Sequence, residues 1–350
     1  MIGGGAVGAS AAWHLRELGI DDVLLVERDS LGSGSTSKSA GGVRMQFADE
    51  LNVRIAQRSF AELERMDGIG LNRTGYLFLI DREEDLAEFR AALALQARLG
   101  VPSRELSVAE ALELVPHLEP EGLVGATFCP LDGHCTPEAV VQWYARELAV
   151  LQGCEVTGID VRDGLVRAVE TTRGRIATGT VVCCVGAWAA EVGALAGVEI
   201  PVRGEPRWMW FSPEAGGLPD RMPMTIDFST GLYVHREGPG LVLGGRESSL
   251  EALAPAIERR LPLLAELPVQ ASWWGYYEIS PDHNAIVGEL PGPGRFLVAT
   301  GFSGHGFQQA PAVGEHLAEL VAGVTPTLDL SPFALERFDQ GSPRVERFVV

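Results

Sequence analysis

Gly3, Gly5 and Gly8 stand in G-x-G-x-x-G spacing at the head of the chain. The first glycine of such a turn permits the tight bend, the second lets backbone approach a pyrophosphate, and the third lets helix pack on strand. Ala6 to Leu18 reads as an alanine-rich helix closed by Gly19, which puts Ala6 and Val7 in the first turn beside the phosphates. Val23 to Val26 reads as a buried parallel strand, and Glu27 follows it, nineteen residues after Gly8. A carboxylate at that point can accept bonds from a ribose hydroxyl pair. The glycine spacing alone fits many ordinary turns. With helix, strand and acid in order it predicts dinucleotide binding.

A second glycine-rich turn, Gly301-Phe302-Ser303-Gly304-His305-Gly306-Phe307, joins the apolar strand Phe296–Thr300 to a helix running through Leu320. Such a turn aims free N–H groups and the positive end of a helix dipole at whatever lies before it. Between the two turns, Gly32 to Gly42 is a glycine- and serine-rich loop that follows the ribose-binding acid and is expected to wrap the cofactor. Arg44 ends it. Its guanidinium could take a carboxylate in bidentate fashion or sit in an ordinary surface ion pair. His305 could contact a ligand or simply pack beneath its turn.

The elements that must position these groups are legible in outline. Helices are expected from about Asp49 to Met66, Glu83 to Leu99, after the capping box Ser107–Glu110, and from the Thr136-Pro137-Glu138 start to about Leu151. Strands are expected at Tyr76–Ile80, in a meander over Glu155–Thr180, through Thr180–Trp188, and repeatedly from Arg203 to Pro281. Only Met1 and Ile2 precede Gly3, whereas a strand of this kind usually has about five or six residues. A weakened first strand, from a late start or a truncation, is therefore expected, and with it weak cofactor retention.

Composition narrows the partners. With 350 residues and 46% hydrophobic content, the chain can bury a large core and is expected to form two domains. A net charge of −19 argues against nucleic acid or an anionic membrane. No apolar run reaches the length of a membrane span, and no signal peptide precedes the nucleotide turn, so a cytoplasmic protein is expected. The five cysteines, Cys129, Cys135, Cys154, Cys183 and Cys184, lack metal spacing and read as buried thiols. His134 beside Cys135 has no evident partner, and no metal is expected. Lys38 is the only lysine.

Five segments in order resemble the FAD-dependent glycine/D-amino-acid oxidase family, nearest to sarcosine oxidase-like enzymes and proline or dimethylglycine dehydrogenase flavoproteins. They are the nucleotide turn, the Gly34–Arg44 loop, Val185-Gly186-Ala187-Trp188, Ser280-Pro281-Asp282-His283, and the Gly301–Gly306 turn. The resemblance spans nearly the whole chain. It implies an α/β fold: a Rossmann-like FAD-binding domain from residues 1–75, 137–203 and 283–350, and an antiparallel-sheet (α+β) substrate domain from 76–136 and 204–282. It implies FAD contacts at Gly3, Gly5, Ala6, Val7, Gly8, Glu27 and Arg28, and along the loop at Ser35, Thr36, Lys38, Ser39, Ala40, Gly41 and Gly42. Further contacts are implied at Val156, Gly186 and Trp188, and at Gly301, Ser303, Gly304, His305, Gly306 and Phe307.

The resemblance also assigns roles and shows departures. Arg44 falls where the family binds a substrate carboxylate. Gln308 replaces a lysine that supplies a second carboxylate contact in sarcosine oxidases. Gly275 and Lys38 stand where relatives attach flavin covalently, so noncovalent FAD is expected. Tyr233 falls near the position of an oxygen-activating lysine, and the only lysine is expected elsewhere, so dehydrogenase behaviour is expected ahead of oxidase behaviour. The expected substrate is a small amino acid or N-methyl amino acid, oxidised at its C–N bond by hydride transfer to FAD. An oxygen-using oxidase and a non-catalytic flavin-binding assembly or electron-transfer subunit are the alternatives. The electron acceptor is not legible, nor is any homo- or hetero-oligomer. Asp282 and His283 read as a structural cap, and Trp273, Trp274, Tyr276 and Tyr277 as an aromatic substrate cage or as core.

Overall fold

A computed structural model describes residues 1–341 and 344–349. Its nucleotide-fold sheet is built on short apolar strands, of which Val181–Cys183 and Phe296–Thr300 are buried throughout while Ala149–Leu151 lies at an exposed edge. Leu24–Val26 pairs in parallel with Ala149–Leu151, and Val181–Cys183 with Phe296–Thr300, which Ile286–Glu289 flanks antiparallel. Ile2 joins the two pairs, bridging to Val26 on one side and Cys183 on the other. Five backbone hydrogen bonds of 2.8–2.9 Å hold Met1, Ile2 and Gly3 between those strands. The first strand is thus short, but its place in the sheet is filled.

The helix Ala6–Glu17 leaves the nucleotide turn and packs against the C-terminal helix Gly306–Ala322. Gly8 allows the turn to close: a Cβ there would stand 2.0 Å from the Gly3 carbonyl oxygen. Two expected elements are shorter than the sequence suggests. The helix from Pro137 ends at Ala145, and Thr136 makes no side-chain cap bond. Ala149–Leu151, expected as its last turn, is instead the strand beside Leu24–Val26, because the sheet edge offers its backbone a ladder. The strand expected over Thr180–Trp188 stops at Cys183 and becomes a 3₁₀ turn at Gly186–Trp188.

An eight-stranded mixed sheet forms the other wall of the molecule. Its order runs from Ala271–Ile279 through Arg203–Ser212, Gly240–Gly244, Tyr233–Glu237, Met224–Asp227, Tyr76–Ile80 and Gly125–Cys129 to Arg104–Leu106. Tyr76–Ile80 pairs in parallel with Met224–Asp227, and the other ladders are antiparallel. One face carries Leu77, Leu79, Trp210, Val234 and Leu243 into a core closed by the helix Leu250–Arg260. The opposite face carries Tyr76, Met209, Met224 and Tyr233 towards the nucleotide turn. The C-terminal segment crosses between the two sheets: Phe348 stacks on Phe89 at 4.0 Å, and buried Glu346 accepts from the Ala48 and Asp49 amides. Among the described residues, no helix is long and apolar enough to cross a membrane.

Candidate active site

Between the two sheets lies a cavity of about 590 Å³. The two glycine turns meet there. Gly3, Gly5, Ala6, Val7, Glu27 and Arg28 line one end, and the loop contributes Ser35, Thr36, Lys38, Ser39, Ala40 and Gly42. Val156, Gly186 and Trp188 close a side. Ser303, Gly304, His305, Gly306 and Phe307 enter from the second turn. Three expected contacts stand behind the wall instead. Gly8 faces the Gly3 carbonyl, Gly41 turns at positive φ against the Cys135 carbonyl, and Gly301 turns against Ser280. All three serve the turns rather than the surface.

The cavity wall has unmet needs that suit a dinucleotide. The helices Ala6–Glu17 and Gly306–Ala322 both begin at it, without a cap from the N-cap side chain and without an acid in the first turn, although the Ala6 amide donates to Thr36 Oγ1 at 3.1 Å. Such ends leave N–H groups and dipole charge that an anion satisfies. Ser35 Oγ is buried without a partner on the same wall. Glu27 is already fixed: one carboxylate oxygen accepts from the Gly4 amide at 2.7 Å, the other from Asp29 at 2.8 Å. Arg28 stacks over the Trp188 ring at 4.5 Å. These residues fit FAD: the first helix end could take its diphosphate and Glu27 a ribose hydroxyl pair.

At the other end Arg44, His305 and Gln308 form one cluster. The Arg44 amide donates to Gln308 Oε1 at 2.7 Å. Its Nη2 donates to His305 Nε2 at 2.9 Å and to the Phe348 carbonyl at 2.5 Å, and Nη1 donates to the Gln46 carbonyl. An arginine can only donate, so His305 Nε2 is an acceptor and the proton sits on Nδ1. Burial, with the Arg44 charge beside it, keeps that ring neutral far below the usual imidazole range. Burial also lowers the Arg44 value, and the guanidinium lies over Phe47 at 4.2 Å. Arg44 lines the cavity and is only 3% exposed. A bidentate carboxylate would have to displace some of its three present acceptors.

The cavity roof is phenolic. Tyr233 lines it with Tyr76 and Tyr277, and burial holds all three hydroxyls protonated above the usual phenol range. The aromatic run on Ala271–Ile279 divides between the two expectations. Tyr276 and Tyr277 reach the cavity, while Trp273 packs inward and donates to the Lys38 carbonyl, and Trp274 is 43% exposed. Asp282 is fully buried in an ion pair with Arg337 at 2.8 Å, which agrees with a structural role.

Lys38 lines the cavity and packs on Gly275, where a Cβ would come within 2.5 Å of Lys38 Cβ. Sequence reasoning missed Arg207 and Glu278. Arg207 is paired across the ladder with Gly275, reaches the cavity beside Tyr277, and has a buried Nε with no partner. Glu278 borders the same space, and burial pushes its carboxyl up to about 7. The signal for Arg207 was the pairing of Arg203–Ser212 with Ala271–Ile279, which no sequence motif announces.

Known proteins show to which family the chain belongs. The sequence profile of the FAD dependent oxidoreductase (DAO) family matches residues 1–320. Mitochondrial sarcosine dehydrogenase of Mus musculus is 29% identical over 97% of this chain and 41% of its own length. The chain therefore spans about two fifths of the sarcosine dehydrogenases it matches. L-proline dehydrogenase from P. horikoshii superposes with a TM-score of 0.90 at 31% identity, covering 98% of both chains. Glycine oxidase from Geobacillus kaustophilus follows with 0.84 at 27%, covering 96% of this chain and 97% of its own.

Proposed function

Because the chain belongs to the FAD-dependent oxidoreductase (DAO) family, we propose that it binds FAD noncovalently and oxidises the C–N bond of a small amino acid or N-methyl amino acid. When bound, FAD supplies the two-electron acceptor that takes a hydride from the carbon of the C–N bond being oxidised. Residues 1–75, 137–203 and 283–350 make up the FAD-binding part in this reading, and 76–136 and 204–282 the substrate part. A cytoplasmic location belongs to the same proposal.

One observation carries the reading. A single cavity joins two helix N-termini and a fixed Glu27 to a buried arginine, a neutral histidine and three phenols. The helix ends and Glu27 serve a dinucleotide, while the far end serves an amino acid. Arg44, supported by Gln308 and His305, attracts the carboxylate and fixes the α-carbon. The phenols keep water out and offer hydroxyls to the amine. Loss of hydride from a neutral amine leaves an iminium ion, which water hydrolyses, so no side-chain base is compulsory. His305 could not donate from Nε2 while Arg44 holds that lone pair.

The chain is read as a dehydrogenase because Tyr233 brings no charge to the place where oxidase relatives carry a lysine. The oxidase reading draws its support from Lys38, which lines the same cavity. Anaerobic flavin reduction by sarcosine, dimethylglycine, proline and D-amino acids tests the activity. Bleaching by one of these substrates is expected, and a flavin that none of them reduces would leave the non-catalytic assembly role in its place.

A further inference from the structure

Outward from Tyr233, the strand Tyr233–Glu237 carries His235 and then Glu237 on the same face, as the period of two dictates. The short ladder of Gly42–Val43 with Gly133–His134 lies against that face. It brings the His134 ring to 4.6 Å from the His235 ring, centroid to centroid. One ligand atom from each of His134, His235 and Glu237 falls within 4.8 Å of the other two. The first two residues are a hundred positions apart, so His134 looked partnerless in the sequence.

Two further observations point to a ligand. His235 Nδ1 lies 2.8 Å from the Arg236 carbonyl, so that nitrogen carries the proton and Nε2 presents a lone pair. His235 is 1% exposed, and its Nε2 has no hydrogen-bond partner. A backbone carbonyl on the far nitrogen is the usual way a metal-binding imidazole is held in the correct tautomer.

We propose that His134, His235 and Glu237 form a binding site for a first-row divalent cation of the zinc class. Zinc bonds to nitrogen and oxygen are about 2.0–2.2 Å, so tetrahedral ligand atoms stand roughly 3.4 Å apart. The three groups must close by about an ångström, and exposed Glu237 is the one free to swing. The ion would act structurally. Gly42 is the register partner of His134, and Val43 leads directly to Arg44. A cation on these three ligands would fasten the arm that carries Arg44 to the strand that carries Tyr233.

The test uses the untagged holo-flavoprotein, stripped with a chelator and titrated with zinc by calorimetry and with cobalt by its visible ligand-field bands. About one equivalent is expected to bind, with a rise in Tm. Glu237→Gln should weaken binding about tenfold or more, and His134→Asn should abolish it, with the flavin spectrum unchanged in both. Absence of uptake, or equal uptake in wild type and Glu237→Gln, would overturn the site. Should His134→Asn fail to fold, the surface variant Glu237→Gln still decides.

Discussion

Replacing Arg44 by alanine separates two jobs that its position combines. Its guanidinium satisfies the buried Gln46 and Phe348 carbonyls and His305 Nε2. Leaving the two carbonyls without a donor costs about 1–3 kcal/mol each, or about 2–6 kcal/mol together. Unfolding entropy near 2.1 cal/mol/K per residue gives about 0.7 kcal/mol per degree for a chain of this length. The variant should therefore melt about 3–8 °C lower. Loss of one charged hydrogen-bonding partner costs a carboxylate substrate a further 1.5–3 kcal/mol or so, about 10- to 150-fold in affinity. Anaerobic stopped-flow bleaching by an amino acid and by the matched amine without its carboxylate reads the second effect free of the first. The amino acid alone should lose affinity. Equal losses for both substrates, alongside the lower Tm, would refute carboxylate binding and leave Arg44 a packing residue. Arg44→Lys, which keeps one charge, should fall between the two.

Acid precipitation should release yellow flavin into the supernatant, since Gly275 and Lys38 offer no attachment atom of the expected kind; flavin left in the pellet would reject noncovalent binding. Reduced enzyme should be reoxidised faster by a quinone dye than by oxygen at matched concentration, and the reverse order would assign the missing charge to Lys38, which lines the cavity. Gly275→Ala should lower flavin retention, because the new methyl would lie 2.5 Å from Lys38 Cβ and push the cofactor loop outward; unchanged occupancy would show that the loop yields freely. Asp132 is fully buried, and burial raises its carboxyl to about 7. Its folded-state value exceeds the unfolded one, so the stability it contributes is full below about pH 4 and lost as pH rises through 7. The stability of Asp132→Asn relative to wild type should therefore rise between about pH 4 and 7, by on the order of 4 kcal/mol at most, and a flat difference in chemical denaturation would contradict this.

How much of this was visible in the chain depends on how local each signal is. The nucleotide turn, Glu27 and the Gly301–Gly306 turn are local: a few adjacent residues specify both the conformation and the chemistry, and all three reach one cavity. The helix from Pro137 was overrun by six residues because Leu148, Val150 and Leu151 continue its apolar spacing, while the strand that claims them lies at residues 24–26. Arg207, Glu278 and the His134–His235 contact were invisible for the same reason. Each depends on which strand pairs with which, and in a mixed sheet of eight strands one residue of slip exchanges the two faces. Lys38 could be placed in the loop but not against Gly275, since nothing in either segment names the other.

The charge balance of the molecule bears on which substrates can reach the site. The chain carries −19 overall, yet the groups that would hold a carboxylate, Arg44 and the far end of the cavity, are buried. An anion approaching from solvent meets a repulsive field before it meets its partner, whereas a zwitterion carries no net charge across that field. The interior then discriminates where the exterior does not, because a buried guanidinium is little screened and a surface charge is screened within about 8–10 Å. Amino acids with a cationic amine and one carboxylate should therefore be favoured over those with an additional acidic side chain. Raising ionic strength should narrow that preference by speeding the net-anionic members of a substrate series while leaving the zwitterions nearly unchanged. Measured as kcat/KM against salt, a parallel response of both classes would mean that the acidic surface plays no part in selection and that the discrimination rests wholly inside the cavity.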